Sequence, residues 1–222
     1  MAARKSVSSP ATSRRPQQPR GHARMDVILD ATEGLIAESG AEGVTMRRVA
    51  HAAKSAVGSL YHFFPSRDSL LHAVANRHAL GVSEITTRLR ALAPVEWQCM
   101  STQQVADRLI CEYAAYGRRH PDFLLTRLYL PVPHLDAEFL ALLQQILDAR
   151  LPKASKETQL RLADIIYGIL MGGVNVASQG GQAKIECFLD EIPLVLGAYL
   201  VSLENRTWCS NLDKTRPEAR LR

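Results

Sequence analysis

A short segment near the N-terminus carries the side chains best suited to binding phosphate. Residues 45–67 contain four bases, Arg47, Arg48, Lys54 and Arg67, and no acid. Such bases contact the nucleic-acid backbone through salt-sensitive ion pairs that carry no information about base sequence. The acids at positions 26, 30, 33, 38 and 42 all precede this segment. The pattern therefore predicts a surface with one side that attracts phosphate and one that repels it.

The four bases belong to two short helices separated by a tight break. Thr45 offers an N-cap oxygen to the first helix, and the second spans about Ala56 to Phe63 after the break at Lys54-Ser55. This arrangement is typical of a helix-turn-helix, whose second helix enters the DNA major groove. The free N–H groups beside Thr45 suit a phosphate, and Gly58 and Ser59 are small enough to let the second helix lie deep in the groove.

The segment resembles the DNA-binding region of the TetR family of bacterial transcriptional regulators, over about residues 24–75. The matching positions are Thr45, Val49-Ala50, Ala53, Gly58, the run Leu60-Tyr61-His62-Phe63-Phe64, Ser66-Arg67 and Leu70. The resemblance implies that Tyr61 and His62 contact phosphate. Lys54 stands where the family usually has Gly, and Ala56 stands where a Ser or Thr usually caps the recognition helix. Val57 replaces a commoner polar residue, which suggests contact with a thymine methyl group.

The sequence thus defines a set of candidate DNA-binding residues. They are Thr45, Arg47, Arg48, Lys54, Ser55, Ala56, Val57, Gly58, Ser59, Tyr61, His62 and Arg67.

Helical spacing of apolar residues continues through most of the 222-residue chain, which predicts an all-α fold of about nine helices. The predicted ranges are about 24–38, 45–53, 56–63, 66–92, 102–119, 122–130, 135–151, 156–179 and 183–205. Pro193 predicts a kink or a restart inside the last helix. We expect a helix-turn-helix domain at 23–78, with its motif at about 44–63, joined by a long fourth helix to a helical domain at 79–206.

The ends of the chain differ from its middle in composition. The net charge is +5, but residues 1–24 carry six bases and no acid. Together with several Pro, Ser and Gln residues, this predicts a disordered basic tail at 1–22. The polar stretch 207–222 is predicted to be a flexible C-terminal tail.

The TetR resemblance implies that residues 79–206 bind a small effector and form a homodimer. Candidate effector contacts are Trp97, Tyr113, Tyr116, Phe123, Tyr129, Tyr167 and Asn175, since a pocket needs apolar walls and a few placed polar groups. Candidate dimer contacts on the last two helices are Gly168, Gly172, Ile192, Leu196, Tyr199 and Leu203. The same stripe of the last helix could equally serve the core of a single chain.

Other functions have less support in the sequence. No phosphate-binding glycine loop or nucleophile motif is present, no apolar run reaches the roughly 18 residues of a membrane span, and the four cysteines and seven histidines show no metal-ligand spacing. We therefore expect no catalysis, cofactor or metal, and a cytoplasmic protein with reduced thiols. The preferred function is a ligand-responsive, sequence-specific regulator, most simply a repressor of an inverted-repeat operator. An all-α enzyme and a nonspecific module for nucleic acid or anionic surfaces stay open as alternatives.

Overall fold

The computed structural model describes residues 19–206, which form ten α-helices, a short 3-10 turn at Ala41–Gly43 and no strand within that range. The helices are α1 (Pro19–Ser39), α2 (Met46–Ala52), α3 (Val57–Phe63), α4 (Arg67–Arg90), α5 (Pro94–Cys99), α6 (Thr102–Arg119), α7 (Phe123–Tyr129), α8 (Pro133–Arg150), α9 (Lys156–Ser178) and α10 (Gln182–Glu204). The predicted all-α class is confirmed. The tail predicted at 207–222 and residues 1–18 of the other tail lie outside the described residues.

Helices α1 to α3 and the first half of α4 enclose one small apolar core. Its centre consists of Ile28, Val49, Leu60, Phe64 and Leu70, none of which retains exposed surface. The sequence sets these helix starts locally, because Thr45 accepts a hydrogen bond from Arg48 N and Ser66 forms a capping box with Ser69. The three short helices thus form one packed unit around α3.

The turn between α2 and α3 requires an unusual backbone conformation at Lys54. This residue has φ of 47°, in the left-handed region where a side chain is disfavoured. Ser55 N donates to Ala50 O at 2.9 Å and Lys54 N donates to His51 O at 3.1 Å. The turn thus provides hydrogen-bond donors for carbonyl groups at the end of α2. Lys54 therefore adopts the conformation for which glycine is best suited.

A second, larger core joins the rest of α4 to α5–α10. Trp97, Leu109, Leu142 and Ile146 lie at or near its centre with almost no exposed surface. Helix α5 was not predicted, because its six residues are too few to show a helical period. Arg150 holds the end of α5 by donating to Trp97 O at 3.1 Å and Met100 O at 2.6 Å.

Two features of the last helices bear on the sequence predictions. α10 continues from Gln182 to Glu204 with Pro193 inside it, so the helix does not restart at the proline. α9 is the one helix of the described range that is long and apolar enough to cross a membrane by length and composition. It packs here against α7, α8 and α10, with Ile166 and Leu170 buried in the larger core.

Candidate DNA-binding surface and effector cavity

Helix α3 presents one apolar face to the small core and the opposite face to solvent. Leu60 anchors it with no exposed surface, whereas the Val57 and Tyr61 side chains are 39% and 50% exposed. Gly58 lies on the open face, where an added Cβ would meet no atom within 4 Å. His62 is also exposed, and Ser59 is half-buried. The free face of α3 therefore offers small, apolar and hydrogen-bonding groups to a partner that can admit a helix.

The N-terminal end of α2 borders the same surface. The Thr45 side chain caps α2 from an exposed position, so its oxygen is already engaged by Arg48 N at 3.2 Å. The side chains of Arg47 and Lys54 are exposed and make no hydrogen bond or ion pair within residues 19–206. Their charges are therefore available to a phosphate. Ser55 is half-buried and accepts from Arg24 Nη2 at 3.3 Å, and Ala56 is the exposed N-cap of α3 without a side-chain hydrogen bond.

Two of the predicted phosphate-binding bases contact their own chain. Arg48 Nη1 donates to Ser39 Oγ at 3.0 Å and to Gly43 O at 2.5 Å, and its Nη2 lies 3.5 Å from Glu38 Oε2. These contacts turn the guanidinium toward the end of α1. The sequence could not show this, since a base on the surface of a helix has the same local pattern whichever way it bends.

Arg67 is more deeply engaged than Arg48. Its Nε donates to Val44 O at 2.8 Å, its Nη2 donates to Ala41 O at 2.6 Å, and its Nη1 donates to Tyr129 Oη at 3.2 Å. The guanidinium also lies 5.6 Å from the centre of the Tyr129 ring. Arg67 thus joins three segments: the 3-10 turn before α2, the start of α4 and the end of α7.

The sequence matches known proteins over this part of the chain. Residues 28–74 match the family model described as bacterial regulatory proteins, tetR family. Residues 28–74 thus form a TetR-family DNA-binding region. The HTH-type transcriptional repressor KstR of Mycobacterium tuberculosis is 43% identical over 61 residues, which is 28% of this chain and 28% of that protein. KstR of Rhodococcus jostii is 54% identical over 44 residues, which is 20% and 21% of the two chains.

The matched portion thus covers less than a third of these curated relatives. The likeness in fold extends further. A TetR-like transcriptional regulator from Rhodococcus sp. RHA1 superposes with a TM-score of 0.62 over 87% of this chain and 100% of the other, at 16% identity. At 16% identity this likeness shows that the two proteins share a fold, and it says nothing about their ligands.

A cavity of about 110 Å³ lies within the larger core. Six helices line it, α4 and α6 to α10. Most lining side chains are apolar, including Val82, Phe139 and Met171. Three polar residues from three different helices meet in the wall: Arg127 of α7, Asp136 of α8 and Tyr167 of α9. The cavity can therefore hold an apolar molecule that makes a few polar contacts.

The predicted effector residues separate into two groups. Tyr113, Phe123 and Tyr167 line the cavity. The other four do not line it: Trp97 of α5 is buried in the core, Tyr116 is hydrogen-bonded to His78, Tyr129 contacts Arg67, and Asn175 is exposed. The sequence analysis did not predict Arg127 and Asp136 as effector contacts. The signal that could have found them is a base and an acid on either side of the Pro131-Val132-Pro133 connection.

Burial keeps the cavity's Tyr113 hydroxyl protonated. Removal from water raises the pKa of Tyr113 to about 12, although its hydrogen bond with Thr86 acts in the opposite direction. The Tyr113 Oη lies 2.8 Å from Thr86 Oγ1, so this hydroxyl already has a partner. The polar groups left to meet a ligand are those of Arg127, Asp136 and Tyr167.

A buried polar cluster lies where the two cores meet. His78 Nε2 donates to Asp122 Oδ2 at 2.7 Å, and His78 Nδ1 accepts from the Tyr116 hydroxyl at 3.0 Å. Burial raises the pKa of Tyr116 to about 12, with Glu33 and Asp122 acting in the same direction. Gly81 leaves room for this ring, since an added Cβ would lie 2.8 Å from Tyr116 Cε2. The cluster ties α4 to α6 and to the start of α7.

Glu33 of α1 completes this cluster. Burial first, and then the charge of Asp122, raise the pKa of Glu33 above 4.5, although Arg77 at 3.3 Å opposes the shift. Single ligand atoms of Glu33, His78 and Asp122 lie within 4.8 Å of one another, a grouping that spacing along the chain could not reveal. Both His78 nitrogens are already paired, with Asp122 and Tyr116, whereas the buried Glu33 Oε1 has no hydrogen-bond partner among residues 19–206.

The last two helices expose an apolar face beside the buried one. Gly168 and Gly172 of α9 are exposed, but Ile192, Leu196 and Leu203 of α10 are buried in the chain's own core and Tyr199 is partly buried. The large apolar side chains on the free face are Ile165, Ile169 and Val176 of α9 and Leu194, Val195 and Val201 of α10, between 39% and 64% exposed. Periodicity along α10 could not tell which of its two apolar faces serves the core.

Proposed function

We propose that this TetR-family chain is a transcriptional repressor that binds an inverted-repeat operator as a homodimer and is released from it by a small molecule. The main observation in support is the position of α7 between the cavity and the helix-turn-helix. α7 contributes Phe123, Leu124 and Arg127 to the cavity wall, and its last residue, Tyr129, contacts Arg67. The names of the KstR relatives support the choice of repressor.

DNA recognition is assigned to the open face of α3. Val57, Gly58, Tyr61 and His62 are exposed on this helix, and its N-terminal end is free of acidic side chains. Arg47 and Lys54 would add phosphate contacts from α2 and the turn. Arg48 and Arg67 would act differently, since their contacts hold the helix-turn-helix in shape.

Dimerisation is assigned to the free face of α9 and α10. Large apolar side chains exposed on two neighbouring helices favour association with a second copy. Gly168 and Gly172 lie one turn apart on this face, and an added Cβ at either would meet nothing within 4 Å in the single chain. The small residues would therefore allow close approach of the partner's helices.

Release of DNA would follow from movement of α7. A ligand that displaces Arg127 or Phe123 would shift Tyr129, and through Arg67 it would shift the Ala41 and Val44 carbonyls that precede α2. A ligand favouring the shifted state weakens DNA binding by the same coupling free energy with which DNA weakens ligand binding, typically about 1–3 kcal/mol.

Selection of bound fragments from random DNA tests this function directly. The dimer predicts enriched fragments with an inverted repeat whose half-sites lie about 34–36 Å apart or somewhat more. The Val57→Ser variant should show an altered base preference, at about 1–3 kcal/mol per base contact, whereas Tyr61→Ala should weaken binding to selected and random DNA alike. Fragments without shared sequence, bound equally well by Val57→Ser, would refute sequence-specific regulation and favour a nonspecific module.

A further inference from the structure

The charged groups in the cavity wall compensate one another. Among the cavity-lining residues, Arg127 and Asp136 are the charged ones, and both are mostly removed from water, with side chains 13% and 28% exposed. Arg127 Nη2 donates to Asp136 Oδ1, and the Tyr167 hydroxyl donates to the same oxygen. Burial lowers the pKa of Arg127, and the nearby Tyr167 opposes that shift. The cavity wall thus has one positive and one negative charge, already paired.

This pairing determines which head group a ligand can bring. A carboxylate that bound Arg127 would either displace Asp136, leaving that acid unpaired against an apolar wall, or add a second, uncompensated negative charge beside it. An ammonium group that bound Asp136 would leave Arg127 unpaired or add an uncompensated positive charge in the same way. An uncharged oxygen can instead accept from a free guanidinium N–H, or donate to the second oxygen of Asp136, without breaking the pair. Because Tyr167 also holds Asp136, displacing the acid would break two hydrogen bonds.

We infer that the cavity takes an uncharged, mostly apolar ligand with one hydrogen-bonding oxygen, such as an alcohol, ketone or lactone, and that Asp136 excludes carboxylic acids. This inference rests on the proposed function and names the class of effector. Asp136 is a specificity-determining residue because it neutralises a base that would otherwise attract anions. Replacing its carboxylate with an amide leaves Arg127 as an unpaired positive charge beside an apolar cavity, which is a site for an acid.

A matched pair of probes tests the inference on the full chain. 1-Octanol and octanoate share one apolar tail and differ in the head group, so calorimetric titration of each at neutral pH isolates the effect of the charge. We expect the unaltered protein to bind 1-octanol about tenfold more tightly than octanoate or better, because an unpaired buried charge is costly. Asp136→Asn should reverse this order.

Asp148→Asn is the control. Asp148 pairs with Lys156 at 2.7 Å on the exposed surface, so this change alters the net charge equally without touching the cavity. It should keep the preference for 1-octanol. Arg127→Gln is an independent variant in case Asp136→Asn does not fold: the unpaired Asp136 should then bind octylammonium more tightly than 1-octanol.

Several results would overturn the inference. They are equal or tighter binding of octanoate by the unaltered protein, an unchanged order in folded Asp136→Asn, and no binding of either probe. Fluorescence anisotropy on the selected operator separates the two proposals. If 1-octanol binds with the expected preference and leaves operator affinity unchanged, the ligand class stands and the regulatory function fails. If the operator is bound but octanoate is preferred, the regulatory function stands and the ligand class fails.

Discussion

Replacing Arg67 by Met distinguishes a structural base from a DNA-binding one. The sequence pattern predicts that Arg67 contacts phosphate, so its loss would leave folding unchanged. In the structure its guanidinium donates to Val44 O at 2.8 Å, to Ala41 O at 2.6 Å and to Tyr129 Oη at 3.2 Å. Methionine matches the unbranched arginine side chain as far as the Nε position and removes all three hydrogen bonds. The structure therefore predicts a loss of stability before any loss of phosphate contact.

The size of the effect follows from the hydrogen bonds and their exposure. A hydrogen bond to a charged group contributes about 1.5–3 kcal/mol when it is protected from water. The Arg67 side chain is 28% exposed, so water replaces part of what the two backbone carbonyls lose. We expect Arg67→Met to lower the free energy of unfolding by about 2 kcal/mol. For a chain of this size that corresponds to a fall in Tm of about 4–8 °C.

Thermal unfolding followed by circular dichroism measures the stability, and the salt dependence of operator binding measures phosphate contacts. Arg47→Met is the matched control, since Arg47 is exposed and makes no hydrogen bond or ion pair in the part of the chain that is described. It should leave Tm unchanged and lower the slope of log K against log salt by about 1.8, because the dimer loses one contact of about 0.9 from each subunit. Arg67→Met should lower Tm and leave this slope unchanged.

The reverse pattern would refute the reasoning. If Arg67→Met unfolds within about 1 °C of the unaltered protein and lowers the salt slope by about 1.8, Arg67 is a phosphate contact in each subunit and its hydrogen bonds contribute nothing measurable.

Three further predictions concern the turn, the buried cluster and the dimer. Lys54→Gly relieves the left-handed backbone at φ 47°, so chemical denaturation should show a gain of about 0.5–1 kcal/mol; a loss would contradict the strain at this turn. Because the pKa of Glu33 is raised, its contribution to stability is present below its unfolded pKa and is lost as pH rises through its folded pKa. Glu33→Gln should therefore raise Tm at neutral pH, with the difference vanishing near about pH 4; a lower Tm at neutral pH would show that the Arg77 ion pair outweighs burial. Ile169→Arg puts a charge on the free face of α9, where Ile169 is 39% exposed, and should convert the dimer to a folded monomer by light scattering; a dimer of unchanged mass would exclude this face as the interface.

The helices were predictable because their signals are local. Thr45 and Ser66 mark the starts of α2 and α4 by capping, and the predicted range 102–119 matches α6 at both ends. The open face of α3 follows only in part from the sequence, which places Leu60 and either Phe63 or Phe64 in the core; the structure shows that Phe64 is the buried one. The short α5 was missed because six residues contain too little of a period to detect.

The sequence by itself thus determined the all-α class and the position of the helix-turn-helix, because capping, periodicity and turn chemistry act within a few residues. Only the tertiary structure decided what each side chain meets across the fold. Arg67 contacts Tyr129 from 62 positions away, His78 meets Asp122 from 44, and Arg127 meets Tyr167 from 40. Contacts at such separations depend on how helices pack, and the same local sequence is compatible with a base that faces DNA or one that faces its own backbone.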